Sequence, residues 1–216
     1  NRIFNYLFGE KFKKKLNYDW EKYPTRMQII QEIIEYKKYK NYLEIGCDND
    51  ALFSKIKIDF KIGVDPVSGG TVRTTSDDFF KKNKYIFDII FIDGLHHYEQ
   101  VKKDINNSLD CLDKNGIIIL HDCIPKNYLE QAVPRSQFLW TGDVWKAFVE
   151  IRTKENFNSY TCLAHKGLGI IMKAKNKNKL NLNIKNYKKL KFEDFYYKHK
   201  TMMNLIEYSE VKKILE

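Results

Sequence analysis

Two short stretches hold the residues best suited to chemistry: Asp93-Gly94-Leu95-His96-His97-Tyr98 and His121-Asp122-Cys123. Carboxylates beside imidazoles suit proton transfer. An imidazole titrates near neutrality, and a neighbouring carboxylate orients the ring and stabilises its charged form. Each stretch follows an apolar run: Phe87, Ile89, Ile90, Phe91 and Ile92 before the first, Ile117 to Leu120 before the second. Runs this short and β-branched read as strands covered on both faces. Beyond the first, Tyr98, Val101, Ile105, Leu109 and Leu112 mark one helix face. Asp93 on its own would be explained as a helix cap. Two strands that each end in a carboxylate with histidine beside it indicate something more: the carboxyl edge of a sheet, where open α/β folds bind ligands.

The elements that must position these groups begin upstream. Tyr42 to Ile45 reads as a strand running into Gly46, followed by a turn and a short helical pattern through Leu52, Phe53 and Ile56. A second strand, Phe60 to Val64, ends at Asp65, nineteen positions after Gly46. An acid at that place suits hydrogen bonds from ribose hydroxyls. The turn has one glycine, and Asp48 and Asp50 lie behind it, so a pyrophosphate is a poor guest and a nicotinamide dinucleotide is disfavoured. A ligand with a ribose and a cation fits better. S-adenosylmethionine is such a ligand, with Glu44 and the turn backbone at its amino-acid end. Thr71 to Thr75 reads as a short third strand, and Ser76 caps the next helix, Asp77 to Lys82, beside the place an adenine would occupy.

The remaining chain reads as decoration of one domain. Residues 1–40 are expected to be helical and packed on the core, through a stripe of Phe4, Leu7, Phe8, Phe12 and Leu16 and a second of Met27, Ile30, Ile33 and Ile34. Pro24 separates the stripes and Thr25 caps the second. Residues 41–174 form the catalytic domain. It includes a long irregular segment, 124–141, a helix after Asp143, and a closing antiparallel pair, Tyr160 to Leu163 and Leu168 to Met172. Residues 175–216 are a lysine- and asparagine-rich extension, with Leu180, Leu182 and Ile184 either a weak edge strand or a linker, and a last helix docked on the domain or on a partner chain.

Composition limits the partners. The formal charge is +10, but arginine occurs only at positions 2, 26, 73, 135 and 152. An excess made of lysine argues against nucleic acid, whose phosphates favour the arginine fork. No apolar run is long enough for a membrane span. Cys47, Cys111, Cys123 and Cys162 are scattered without metal-ligand spacing, which suits a reducing cytoplasm.

Taken in order, YLEIGC (42–47), GVDP (63–66), SDDFF (76–80), FIDGLHHYEQVKKD (91–104), GIIILHDCIP (116–125) and WTGDVWKAF (140–148) resemble class I S-adenosylmethionine-dependent methyltransferases. The resemblance is to their small-molecule and sugar O-methyltransferase branch, related to the macrolide-sugar enzymes, and it spans roughly Tyr42 to Met172. It implies an α/β fold: a Rossmann-like, doubly wound, seven-stranded sheet, mostly parallel with one antiparallel strand and helices on both faces. It implies cofactor contacts at Glu44, Gly46, Asp65, Ser76, Asp77 and Asp93, and His96 as general base with Asp93 and Asp122 beside it. It admits Mg²⁺ on Asp93, His121 and Asp122, although imidazole is a poor ligand for a hard cation. Tyr128, Arg135 and Trp140 would shape the pocket for a small hydroxylated acceptor such as a sugar or glycan precursor. Two alternatives remain at this stage: a noncatalytic S-adenosylmethionine-binding protein and a nucleic-acid methyltransferase. A homo-oligomer is compatible with the sequence.

Overall fold

The computed structural model describes residues 1–216. In chain order the elements are α1 (Arg2–Phe8), α2 (Arg26–Lys37), β1 (Asn41–Ile45), β2 (Phe60–Asp65), β3 (Val72–Arg73), α3 (Ser76–Lys82), β4 (Phe87–Ile92), α4 (Tyr98–Cys111) and β5 (Leu112–Leu120). Then follow α5 (Tyr128–Gln131), α6 (Val144–Arg152), β6 (Asn158–Cys162), β7 (Leu168–Met172), α7 (Phe192–Met203), β8 (Leu205–Ile206) and α8 (Val211–Ile214).

The strands form one sheet in the order β3-β2-β1-β4-β5-β7-β6-β8. β1 to β5 are parallel, and β7 runs antiparallel between β5 and β6. The expected seven strands are present, and an eighth, β8, extends the edge by pairing parallel with β6. From β1 the chain winds outward through β2 and β3, then returns to lay β4 on the other side of β1. The carboxyl ends of β1 and β4 therefore flank the switch point where ligands bind in such sheets.

Strand alternation divides the core in two. Leu43, Ile45, Ile90, Ile92, Ile118 and Leu120 pack toward α4, α6 and α7, whereas Tyr42, Ile89, Phe91, Ile117 and Ile119 pack toward Ile29, Ile30, Ile33 and Ile34 of α2. Burial on both faces explains why β4 and β5 carry nearly continuous apolar runs. α2 begins where Thr25 and Gln28 form a reciprocal capping box.

Two expectations change, and an alternative left open in the C-terminal extension is decided. The first helix stops at Phe8 instead of continuing to Leu16, because Gly9 adopts extended backbone. Phe4, Leu7 and Phe8 are left exposed, and of that stripe only Leu16 is buried. The 3-10 turn Phe53–Lys55 replaces the short helix after β1. In the C-terminal extension, Leu180, Leu182 and Ile184 lie in a linker, but α7 buries Phe192, Phe195, Met202 and Met203 in the main core.

Candidate active site

A cleft of about 780 Å³ opens at the carboxyl ends of β1, β2 and β4. Glu44, Gly46, Asp65, Ser76, Asp77, Asp93 and His96 all line it, so topology gathers the proposed cofactor residues and the proposed base in one place. Two halves can be distinguished.

The first half is built from turns. Gly46 has a φ of +89°, and a Cβ there would stand 2.3 Å from the carbonyl oxygen of Asp93, so the β1 turn rests directly on the end of β4. Asp65 accepts hydrogen bonds from the backbone N–H groups of Asp48 (3.0 Å), Val67 (2.8 Å) and Ser68 (2.9 Å). Burial opposes its ionisation, but these donors prevail and hold its pKa below the ordinary aspartate value. Asp50, in the same turn, accepts from Gly70 N–H at 2.6 Å and ties the first turn to the β2–β3 connection. Glu44 is buried, and burial raises its pKa to about 7 against the opposing hydrogen bond from Tyr42 Oη. At the far end, Gln100 Nε2 lies 3.2 Å from Ser76 Oγ, 3.0 Å from Asp77 Oδ1 and 3.1 Å from the buried Asp104 Oδ1. The helix that carries Ser76 is capped one residue earlier than expected, by Thr75.

The second half is built from side chains of distant segments. Asp93 Oδ1 meets His96 Nε2 at 3.1 Å and His121 Nδ1 at 2.9 Å, and Arg26 Nη1 meets Oδ2 at 2.5 Å. Burial of Asp93 would favour its neutral form, but the two imidazoles hold it well below the usual range. His121 Nε2 lies 2.8 Å from Nδ1 of His165, whose pKa falls to about 4 through burial and the charges of His121 and Arg26. His96 Nδ1 is 3.4 Å from Asp122 Oδ2, and Lys166 Nζ is 3.6 Å from Asp122 Oδ1. The His96 ring stacks on Trp140, with centroids 5.5 Å apart and an interplanar angle of 27°. Burial works against protonation of His96, yet the Asp93 hydrogen bond and the Asp122 charge raise its pKa above the ordinary imidazole value. His96 Nδ1 and Asp122 Oδ1 are buried without a hydrogen-bond partner.

Arg135 and Trp140 line the cleft, with the guanidinium 5.7 Å from the Trp140 ring centroid. Tyr128 lies outside it, its hydroxyl on Asn5 Oδ1 at 3.2 Å. His97 packs edge-on against Trp140 and its side chain caps nothing; Asp143 instead accepts from Tyr98 N–H at 2.6 Å, so one residue caps the start of α4 and begins α6. Sequence reasoning missed Arg26, His165 and Lys166. The signal available was only that His165 and Lys166 stand in the turn of the closing pair, where both adopt positive φ (42° and 64°).

The donor set fits a divalent cation in part. Asp93, His96 and Asp122 each offer a ligand atom, all within 4.8 Å of one another, and the two partnerless atoms belong to this group. His121, expected among the ligands, has its ring nitrogens turned to Asp93 and His165.

Residues 20–123, from the approach to α2 through the end of β5, match a family model described as a methyltransferase domain. No curated protein matches the chain in sequence. Among solved structures, a Bacillus cereus O-methyltransferase in complex with S-adenosylhomocysteine superposes with a TM-score of 0.50 at 14% identity, over 69% of this chain and 80% of that one. The S-adenosylhomocysteine-bound Podospora anserina methyltransferase PaMTH1 gives 0.52 at 16% identity, over 70% and 80%. The O-methyltransferase TomG of Streptomyces achromogenes, involved in tomaymycin synthesis and solved with S-adenosylmethionine, gives 0.50 at 10% identity, over 69% and 79%. The chain therefore has the class I S-adenosylmethionine-dependent methyltransferase fold, and residues 20–123 are similar to a methyltransferase domain.

Proposed function

We propose that this methyltransferase uses S-adenosylmethionine to methylate a hydroxyl of a small polar acceptor, a sugar or glycan precursor being the class we favour. When bound, the cofactor supplies a sulfonium methyl, which passes in line to the acceptor oxygen as the carbon–sulfur bond breaks and S-adenosylhomocysteine remains. Asp65 accepts from the ribose hydroxyls, Asp77 faces the adenine, and Glu44 faces the ammonium group. Positioning of this kind can supply about 7–11 kcal/mol of barrier reduction.

The observation that carries the reading is the buried, partnerless Nδ1 of His96. Asp93 holds the ring through Nε2, which leaves the Nδ1 lone pair to take the acceptor's proton as the oxygen–carbon bond forms. The imidazolium then stands between two carboxylates, which stabilise it. Trp140 supports the ring face, and with Arg135 it borders the acceptor's approach. A second reading rests on the same atoms: Mg²⁺ on Asp93, His96 and Asp122 would polarise the acceptor hydroxyl directly. It occupies the lone pair that a base needs, so the two readings exclude one another.

The test is methyl transfer from labelled S-adenosylmethionine to a panel of sugars and other small alcohols, with and without chelator. A labelled ether formed equally in both, and lost in His96→Ala, is the expected result. Loss on chelation and recovery with Mg²⁺ would replace the base by the metal. No product from any hydroxylated acceptor, despite cofactor binding, would leave a noncatalytic binding protein.

A further inference from the structure

The apolar surface of this molecule is unevenly distributed. Nine of its sixteen exposed large hydrophobic side chains lie in two touching segments, α1 and residues 129–139. α1 inverts the logic of a packed helix: its one buried residue is Asn5, while Ile3, Phe4, Tyr6, Leu7 and Phe8 face outward. The helix is held by polar bonds to the second segment, from Asn5 Nδ2 to Pro134 O at 2.8 Å and from Arg2 Nε to Ser136 O at 3.2 Å. That segment contributes Leu129, Val133, Leu139 and Phe138, the last 89% exposed. A cluster of this size, outside any core, marks an interaction surface.

Its rim is cationic. Arg2, Lys11, Lys13 and Lys15 line the open groove between the segments, with Tyr6 at its wall. The only acids in residues 1–15 and 126–140 turn inward: Glu10 accepts from Phe192 N–H at 2.9 Å, and Glu130 from Lys126 N–H at 2.7 Å. Lys11 donates to Tyr6 O, but none of these lysines forms an ion pair. Protruding aromatic and aliphatic side chains ringed by such lysines complement an anionic lipid surface, where the former enter the headgroup boundary and the latter meet phosphate. A second copy fits less well, because a two-fold contact would set these cations against one another.

We infer that α1 and residues 129–139 form a peripheral docking face for anionic membranes. No helix of the chain is long and apolar enough to cross a membrane, so the contact is interfacial. The second segment leads into Trp140, and the docked face thus adjoins the mouth of the cleft. This inference does not depend on the reaction proposed above.

The test is flotation of the full chain with vesicles of phosphatidylcholine alone or mixed with phosphatidylserine. Expected is co-flotation with the mixed vesicles only, released by high salt. Leu7→Glu/Phe8→Glu, and separately Phe138→Glu, should weaken it at least tenfold, and Lys13→Glu/Lys15→Glu by roughly fivefold per lysine, the weight of one basic residue at such a surface. Circular dichroism should show each variant folded. Absence of flotation with phosphatidylserine, or flotation unchanged in Leu7→Glu/Phe8→Glu, would overturn the inference. So would a concentration-dependent dimer that the same double variant dissolves, which would assign the patch to a second copy.

Discussion

The two halves of the cleft are made in different ways. The proposed cofactor half uses backbone: Asp65 is fixed by three N–H groups of its own neighbourhood, and Gly46 rests on the carbonyl of Asp93. The proposed reaction half uses side chains from four separate stretches of chain: Arg26, Asp93 with His96, His121 with Asp122, and His165, joined by hydrogen bonds and by the charge of Asp122 beside His96. A backbone-built site is rigid before its ligand arrives. A side-chain network is held by its charges, and loss of one member leaves the others buried and unpaired. Damage to the first half should therefore appear in binding, and damage to the second in turnover.

The largest effect expected is on the reaction half. His96→Ala should lower kcat by about 10²- to 10⁴-fold while the calorimetric Kd for S-adenosylhomocysteine stays near the wild-type value; a shift in Kd of the same size would erase the distinction between the halves. Asp65→Ala is the mirror experiment. It removes an ionised acceptor and strands three backbone donors, and it should weaken S-adenosylhomocysteine by roughly 10- to 100-fold, the weight of hydrogen bonds to a charged group. A variant that binds normally would place the ribose elsewhere.

Arg26→Met should lower turnover by about tenfold, one charge-assisted hydrogen bond's worth, through loosened control of Asp93, with a smaller change in Kd. A pH profile sharpens the same point. His96 must be neutral to accept a proton and its pKa is raised, so kcat should rise with pH along a limb centred above the ordinary imidazole value. A flat profile there would argue against His96 as the base.

The smallest effect is proton linkage at Glu44. Its ordinary value is 4.5 and its folded value about 7, so the cofactor-free fold binds the extra proton between them and loses stability as pH rises through that window. A bound ammonium group favours the carboxylate. Cofactor binding should accordingly release a proton below about 7 and tighten with rising pH by a few-fold, as calorimetry in buffers of different ionisation enthalpy would show. Glu44→Gln should abolish the proton release and steady the cofactor-free fold above that pH.

The same contrast explains what the sequence made legible. Strands buried on both faces announce themselves as continuous apolar runs, and a strand's last residue is then placed by topology; Glu44, Asp65, Asp93 and Asp122 were found in this way. Arg26 lies 67 residues from Asp93 and reaches it only because α2 packs across the sheet. No local pattern encodes that crossing. His165 and Lys166 read as ordinary turn residues until the antiparallel β7 brings their hairpin beside β5. The stripe of Phe4, Leu7 and Phe8 had helical spacing but no core to face, because periodicity identifies an apolar side without saying what covers it.

The most direct test of the account is calorimetric titration of the purified chain with S-adenosylhomocysteine, run beside NADH and repeated with Mg²⁺ and with chelator. The account predicts saturable one-to-one binding of S-adenosylhomocysteine, none of NADH, and proton release below about pH 7 that Glu44→Gln removes. A folded sample that binds neither compound, or NADH alone, would contradict it.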